Sequence, residues 1–301
     1  MGLKFSTVSS SSPEEVREYY DSGGGVDWGV DYTRDEAGFS TNPAVLRLNL
    51  VLRLVEEFNC DNILDAGCAD APVAEELLKR GKTVRGVDFS GTQIERGKQR
   101  LQATGFDPDL IAVGDVTDLG SFEDARFDSV LCLGVLPHIE SMDVAVAELV
   151  RVCRPGGILM LSFRNDLFDL FTFNSFTVQF YEEHVLPKVP CSQDQKARAR
   201  SGIRRLISNP DVPQLDYSPS QDGFGGLTRI NSNPLTIGDD LKPFGLSHLK
   251  TGFYKFHPFP PLLSAEFPDY AVLGAKMDEK LCFSWEGLLL ASTFVSVFRK
   301  L

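Results

Sequence analysis

The 301-residue chain reads as an α/β protein built on a doubly wound, mainly parallel sheet, and three observations point there. Short apolar runs alternate with helical patterns between residues 62 and 163, the connections are brief, and the first run ends in a turn of small residues, Ala66, Gly67, Cys68 and Ala69. Repeated strand-helix-strand units with short connections require crossovers that cover both faces of a parallel sheet.

Each element has its own signal. Residues 1–44 are polar and glycine-rich (Gly23, Gly24, Gly25) yet carry Tyr19, Tyr20, Trp28, Tyr32 and Phe39, a mixture suited to an arm or lid that folds onto something else. A helix follows, with Thr41 as cap, Pro43 in its first turn and a stripe of Leu48, Leu52, Val55 and Phe58. The core, 45–163, continues as strand 62–66, helix 72–80, strand 83–87, helix 91–103, strands 110–113 and 128–133, helix 142–153 and strand 157–163. Ser90 with Gln93 predicts a capping box, Ser141 a second cap, and Met142, Val146, Leu149 and Cys153 share one helix face.

From 164 to 235 the alternation lapses. Phe163, Phe168, Phe171, Phe173, Phe176, Phe180 and Tyr181 crowd ahead of a basic run from Lys196 to Arg205, which predicts an inserted cap over the acceptor, with the basic run as a solvated helix face or, alternatively, a site for an anionic acceptor such as a nucleotide or phosphate group. Residues 236–301 return to the sheet with a helix over Thr236–Phe244 and strands 246–256 and 287–298, separated by a long loop containing Pro258, Pro260 and Pro261.

Composition narrows the function. A net charge of −12 is the wrong sign for gripping nucleic-acid phosphates. The six cysteines show no close pair at metal-ligand spacing and four lie in apolar stretches, which predicts reduced core thiols in a cytoplasmic protein and no metal site. No apolar run approaches the ~20 residues of a membrane helix, and the N-terminus lacks the apolar stretch of a secretory signal. Met1 to Ser6 fits the loose myristoylation pattern, which is short enough to arise often by chance.

The small-residue turn lets a ligand approach the backbone, and the helix after it presents open N–H groups. Twenty-one residues beyond Gly67, Asp88 ends the second strand in Gly86, Val87, Asp88, Phe89, Ser90, where its carboxylate can accept both hydroxyls of a ribose. The pair specifies an adenosine-type ligand. Asp65 separates two such ligands: a carboxylate at the mouth of the turn repels a pyrophosphate but suits the ammonium and sulfonium of S-adenosylmethionine (SAM). A dinucleotide turn also wants three spaced glycines, and only Gly67 is present. The third strand ends in Gly114, Asp115, Val116, placing a second carboxylate where it could take the exocyclic amine of adenine.

With the fourth strand and its sequel, Leu133, Gly134, Val135, Leu136, Pro137, His138 and Ile139, and with Arg154-Pro155-Gly156-Gly157 before strand five, the stretch 62–163 resembles the class I SAM-dependent methyltransferases. The resemblance implies a Rossmann-like seven-stranded sheet whose last strand is antiparallel, with SAM as cofactor and S-adenosylhomocysteine (SAH) as product. It assigns Asp65, Ala66, Gly67 and Cys68 to the amino-acid part of SAM, Asp88 and Phe89 to the ribose, Asp115 and Val116 to the adenine, and Leu133 and Gly134 to the walls of the methyl channel. Ala69 and Ala71 stand where the family usually has glycines, which bears on how tightly the methionine end sits.

Outside that stretch, Ser162 to Phe168 with Phe173 and Asn174, and Phe253 to Pro258, resemble methyltransferases of surface polysaccharides and other sugars. This implies a small-molecule acceptor, a hydroxyl of a sugar, a nucleotide-linked compound or a related metabolite, touched by Arg164, Asn165 and Tyr254, with Tyr20 reaching in from the arm. The sulfonium already makes the methyl carbon electrophilic, so the protein has to align the acceptor and take its proton. His138 is a candidate base, with a structural hydrogen bond as the plainer role; His184, beside Glu182 and Glu183, and His257 are its rivals. A nitrogen or carboxylate acceptor, a non-catalytic SAM-binding protein, and an NAD-dependent oxidoreductase are the alternatives, and either a monomer or a homodimer fits.

Overall fold

The computed structural model describes residues 6–9, 13–21, 40–139, 141–207 and 229–301. In chain order, β1 (Ser6–Ser9) and α1 (Pro13–Asp21) precede α2 (Pro43–Glu57). Next come β2 (Asn62–Ala66), α3 (Pro72–Lys79), β3 (Thr83–Asp88), α4 (Gly91–Ala103), β4 (Ile111–Val113), β5 (Phe127–Cys132), α5 (Met142–Val152) and β6 (Cys153–Asn165). The helices α6 (Asp169–Thr172), α7 (Ser175–Phe180) and α8 (Gln193–Ile207) lead to β7 (Arg229–Ser232). Then α9 (Ile237–Leu241), β8 (Leu246–Phe256), α10 (Tyr270–Leu281), α11 (Gly287–Leu290) and β9 (Ala291–Lys300) close the chain.

The seven predicted strands form one sheet in the order β4-β3-β2-β5-β6-β9-β8. Pairs from β4 through β6 are parallel, and β9 is antiparallel to both β6 and β8. Two short strands were not legible beforehand: β7 runs parallel to the last residues of β6, and β1 is antiparallel to β7. The strand order reverses between β2 and β5, and such a switch point opens a crevice at the carboxyl ends of the strands.

Alternation along the strands feeds two apolar layers. Ile63, Leu131 and Met160 pack on one face with residues of α2, α3 and α4, while Leu64, Val130, Leu159 and Leu161 pack on the other with α5. Phe127, Phe163, Phe294 and Phe298 are fully buried in the second layer, each contributing on the order of 2–3 kcal/mol of apolar burial.

Several local expectations are corrected. Asn42, not Thr41, caps α2, its side chain accepting from the Ala44 N–H at 2.8 Å. Ser141 makes no side-chain cap bond. The Ser90 hydroxyl accepts from the Gln93 N–H at 3.2 Å, but the buried Gln93 amide returns no bond among the described residues, so only half of the capping box forms. The long loop predicted after residue 256 contains α10, a 12-residue helix, and residues 287–290 are helical, so the last strand begins at 291. The Thr236–Phe244 helix is shorter than predicted, α9 followed by a tighter turn over Lys242–Phe244. The basic run lies on α8, which has no buried residue, and Arg200 and Arg204 pair with Glu182 at 3.3 and 2.8 Å.

Candidate functional site

A cavity of about 550 Å3 opens at the carboxyl ends of the strands, over the switch point. Of the residues singled out in the sequence, Asp65, Gly67, Cys68, Asp88, Phe89, Asp115, Val116, Leu133, Gly134, His138, Arg164 and Tyr254 all line it.

The β2–α3 turn makes its floor. Gly67 has φ +86°, and a Cβ there would collide with Val135, so both the dihedral and the space demand glycine. Ala69 and Ala71 also lie in the left-handed region, at φ 49° and 63°. That is why glycine suits these two positions: each alanine carries a cost of about 1–2 kcal/mol that glycine avoids.

Asp88 is fixed from both sides. Its Oδ2 accepts the Ala69 N–H at 2.9 Å and its Oδ1 the Ser90 N–H at 3.0 Å, which joins the end of β3 to the turn after β2. Burial raises its pKa, and the two backbone bonds oppose the rise. Asp65 is 2 % exposed, and its Oδ2 has no hydrogen-bond partner among the described residues. Burial pushes its carboxyl up to about 7, against the pull of Arg47 from α2. Asp115 is more open, its Oδ1 accepting from the Thr117 N–H and hydroxyl at 2.8 and 2.7 Å.

The opposite wall begins after β5. Gly134, at φ +80°, donates its N–H to the Ser162 hydroxyl at 2.6 Å, and a Cβ there would strike the Arg47 guanidinium. His138 ends the short turn Leu136–His138 and faces the cavity beside Pro137 and Ile139.

Other predicted residues are elsewhere. Ala66 is fully buried beneath the turn. Asn165 points its amide at the carbonyls of Gly287, Leu288 and Ala291 (3.3, 2.9 and 2.8 Å), so it clamps the chain ahead of β9 rather than lining the cavity. His257 is packed on Phe168 at 4.6 Å and hydrogen-bonded to Tyr270 and Ser292 at 3.0 and 3.3 Å; burial pushes its pKa down to about 3. His184 lies outside the lining, its ring 4.9 Å from that of Phe180. Both rival bases are therefore away from the cavity. Tyr19 and Tyr20 belong to α1, but their side chains, like Trp28 and residues 1–5, lie outside the described residues. From the same helix Glu14 and Arg17 do line the cavity.

Arg47, Ser162, Lys255 and Thr293 line it too and were not foreseen. Two left a trace in the sequence: Arg47 is a cation beside the buried Ala44, Leu48 and Val51 of α2, and Ser162 interrupts the apolar run of β6.

A methyltransferase-domain family model matches residues 64–161, the segment that supplies the turn, the acidic strand ends and β5. Residues 64–161 are thus a methyltransferase domain, carried on the class I, Rossmann-like sheet of SAM-dependent enzymes. Relatives of this methyltransferase include the ubiquinone biosynthesis O-methyltransferase of Vibrio atlanticus, 25 % identical over 193 residues that cover 64 % of this chain and 75 % of that one. The enzyme of the same name from Alkalilimnicola ehrlichii is 32 % identical over 122 residues, 40 % and 48 % of the two chains. The magnesium protoporphyrin IX methyltransferase of Synechocystis, solved with bound SAH, superposes with a TM-score of 0.54 at 16 % identity over 96 % of this chain and 100 % of that one, a likeness of fold.

The residues present suit the cofactor. An unpartnered, buried carboxylate oxygen of Asp65 at the cavity meets the need of an ammonium, as an orphaned buried acceptor otherwise costs about 1–3 kcal/mol. Arg47 beside it can balance a carboxylate, and Asp88 retains lone pairs beyond its two backbone bonds.

Proposed function

We propose that this methyltransferase methylates the hydroxyl oxygen of a small molecule, with Asp65, Arg47 and the Gly67 turn holding the amino-acid part of SAM, Asp88 its ribose and Asp115 its adenine. When bound, SAM supplies a methyl carbon made electrophilic by the adjacent sulfonium. The observation that carries the reading is His138, a histidine facing the cavity just past β5, where the two rival histidines do not reach. A ring nitrogen of His138 takes the proton of the acceptor hydroxyl as that oxygen is alkylated, a contribution of general-base catalysis worth about 10²–10⁴ in rate. The relatives named above are O-methyltransferases by name, which supports oxygen over nitrogen as the acceptor atom.

The cavity volume, about 550 Å3, is in the range of small-molecule pockets and suits a metabolite rather than a polymer. Residues 164–235 remain the proposed cap over the acceptor and 1–44 the proposed arm. The sugar expectation drew on segments flanking Arg164 and Tyr254, and neither relative's name mentions a sugar. Phe163, Tyr254, Pro137, Ile139 and Val144 give the cavity an apolar wall, which favours a ring or chain bearing a hydroxyl over a fully polar sugar.

The test is methyl transfer from labelled SAM to a panel of phenols, alcohols, sugars, amines and carboxylic acids, with mass spectrometry locating the new methyl group. An ether product is expected. An N-methyl or ester product, or SAM that binds and is never turned over, would refute the reading.

A further inference from the structure

The two sides of the cavity differ in charge. Among its described lining residues the carboxylates Glu14, Asp65, Asp88 and Asp115, carried by α1 and by the ends of β2, β3 and the segment after β4, share their side with the cations Arg17 of α1 and Arg47 of α2. The wall made by β6, β9 and β8 carries Arg164 and Lys255 and, among the described residues, no lining carboxylate; its other polar groups are the hydroxyls of Ser162, Tyr254, Ser292 and Thr293.

Strand register sets Arg164 level with the segment that carries Lys255. Arg164 is paired with Thr293, and Thr293 with Tyr254, so one strand separates Arg164 from the Tyr254–Lys255 segment, about 10 Å between backbones. Both side chains line the same cavity. Lys255 also sits at φ 60°, a conformation that a lysine holds only when its surroundings impose it. The segment is held by Asp278 of α10, 8 % exposed, which accepts the Lys255 N–H at 2.8 Å and the Phe256 N–H at 3.0 Å. Strain of this kind, maintained beside a cavity by a buried carboxylate, marks a positioned side chain.

Behind Arg164 lies Asp169, which takes the Asn231 amide at 2.9 Å. Burial pushes its carboxyl up to about 7, and Arg164 draws it down.

We propose that the acceptor carries a carboxylate, gripped by Arg164 and Lys255 against the β6-β9-β8 wall while its reactive hydroxyl faces His138. Arginine presents a planar fork that matches a carboxylate, and lysine adds a point charge from the neighbouring strand. The inference rests on the small-molecule reading above but not on which atom is methylated.

The test uses the full-length protein saturated with SAH and titrated calorimetrically with benzoate, benzamide and phenyl phosphate. Benzoate has no hydroxyl, so failure here would leave the O-methylation reading standing, and failure there would leave this site standing. Saturable benzoate binding about tenfold tighter than benzamide is expected. Arg164→Gln and Lys255→Met should each remove most of that preference while SAH affinity stays within about twofold, which also shows that the variants are folded. Absent benzoate binding, equal affinity for benzamide, or a preference that survives both substitutions would overturn the proposal, and tighter binding of phenyl phosphate would overturn the choice of carboxylate.

Discussion

The two halves of the cavity are built by different means. At the ends of β2 and β3, backbone does the shaping: Gly67 and the left-handed Ala69 and Ala71 set the turn, and Asp88 is locked by the N–H groups of Ala69 and Ser90. At β6, β9 and β8 the wall is made of side chains from strands up to 130 residues apart in sequence, Arg164, Thr293, Tyr254 and Lys255, brought into line by antiparallel pairing. A site shaped by backbone needs particular residues at particular places, whereas a side-chain wall can be refashioned for a new acceptor with the sheet left intact.

Four substitutions sharpen this contrast. His138→Ala, in the turn after β5 between the two halves, should lower kcat by about 10²–10⁴ and leave SAH affinity nearly unchanged, read by steady-state kinetics beside calorimetry. A parallel loss of SAH affinity would place His138 in the cofactor half instead. Asp278→Ala should cost about 2–4 kcal/mol of stability, because the Lys255 and Phe256 N–H groups lose their acceptor, and a melting temperature unchanged from wild type would show that the Lys255 conformation needs no such anchor.

Asp65 gives a pH test of the backbone half. Its carboxyl sits near 7, above its ordinary value, so the apo protein holds a proton there that its unfolded chain would lose. Two consequences follow from the sign of that shift: the group's contribution to stability declines as pH rises from about 4 to 7, and cofactor whose ammonium favours the ionised form must expel the proton. SAH affinity should therefore weaken by roughly tenfold from pH 8 to pH 6, and Asp65→Asn should flatten the profile. A wild-type profile already flat would remove Asp65 from the ammonium site. The smallest effect belongs to Ala69→Gly, which relieves a left-handed alanine and should stabilise the protein by about 1 kcal/mol, a shift of ~2 °C in Tm. Destabilisation would mean that the Ala69 methyl packs usefully where it lines the cavity.

The same contrast explains what could be read from the sequence. Strands and helices between 62 and 163 were legible because each crossover segment buries one stripe, and the acidic residues were legible because Asp65, Asp88 and Asp115 recur at or just past the carboxyl ends of successive strands. Asn165 was assigned to the acceptor, yet its amide serves three carbonyls more than 120 residues away, a contact no local pattern encodes. Prolines 258, 260 and 261 hid α10, whose Gly274 is required by tight packing against the Phe256 carbonyl and whose Asp278 is buried to anchor β8, so its face reads as poorly amphipathic. Lys255 fell within the segment Phe253 to Pro258 but was given no role there, since a left-handed lysine is selected by its anchor and not by its neighbours in sequence.

The most direct measurement of the cofactor site is calorimetry of the protein with SAM and with SAH, repeated for Asp88→Ala. The wild type should bind both, and the variant should lose about 100-fold or more in affinity, the worth of two hydrogen bonds from ribose hydroxyls to a charged acceptor. No binding to the wild type, or undiminished binding to Asp88→Ala, would contradict the account.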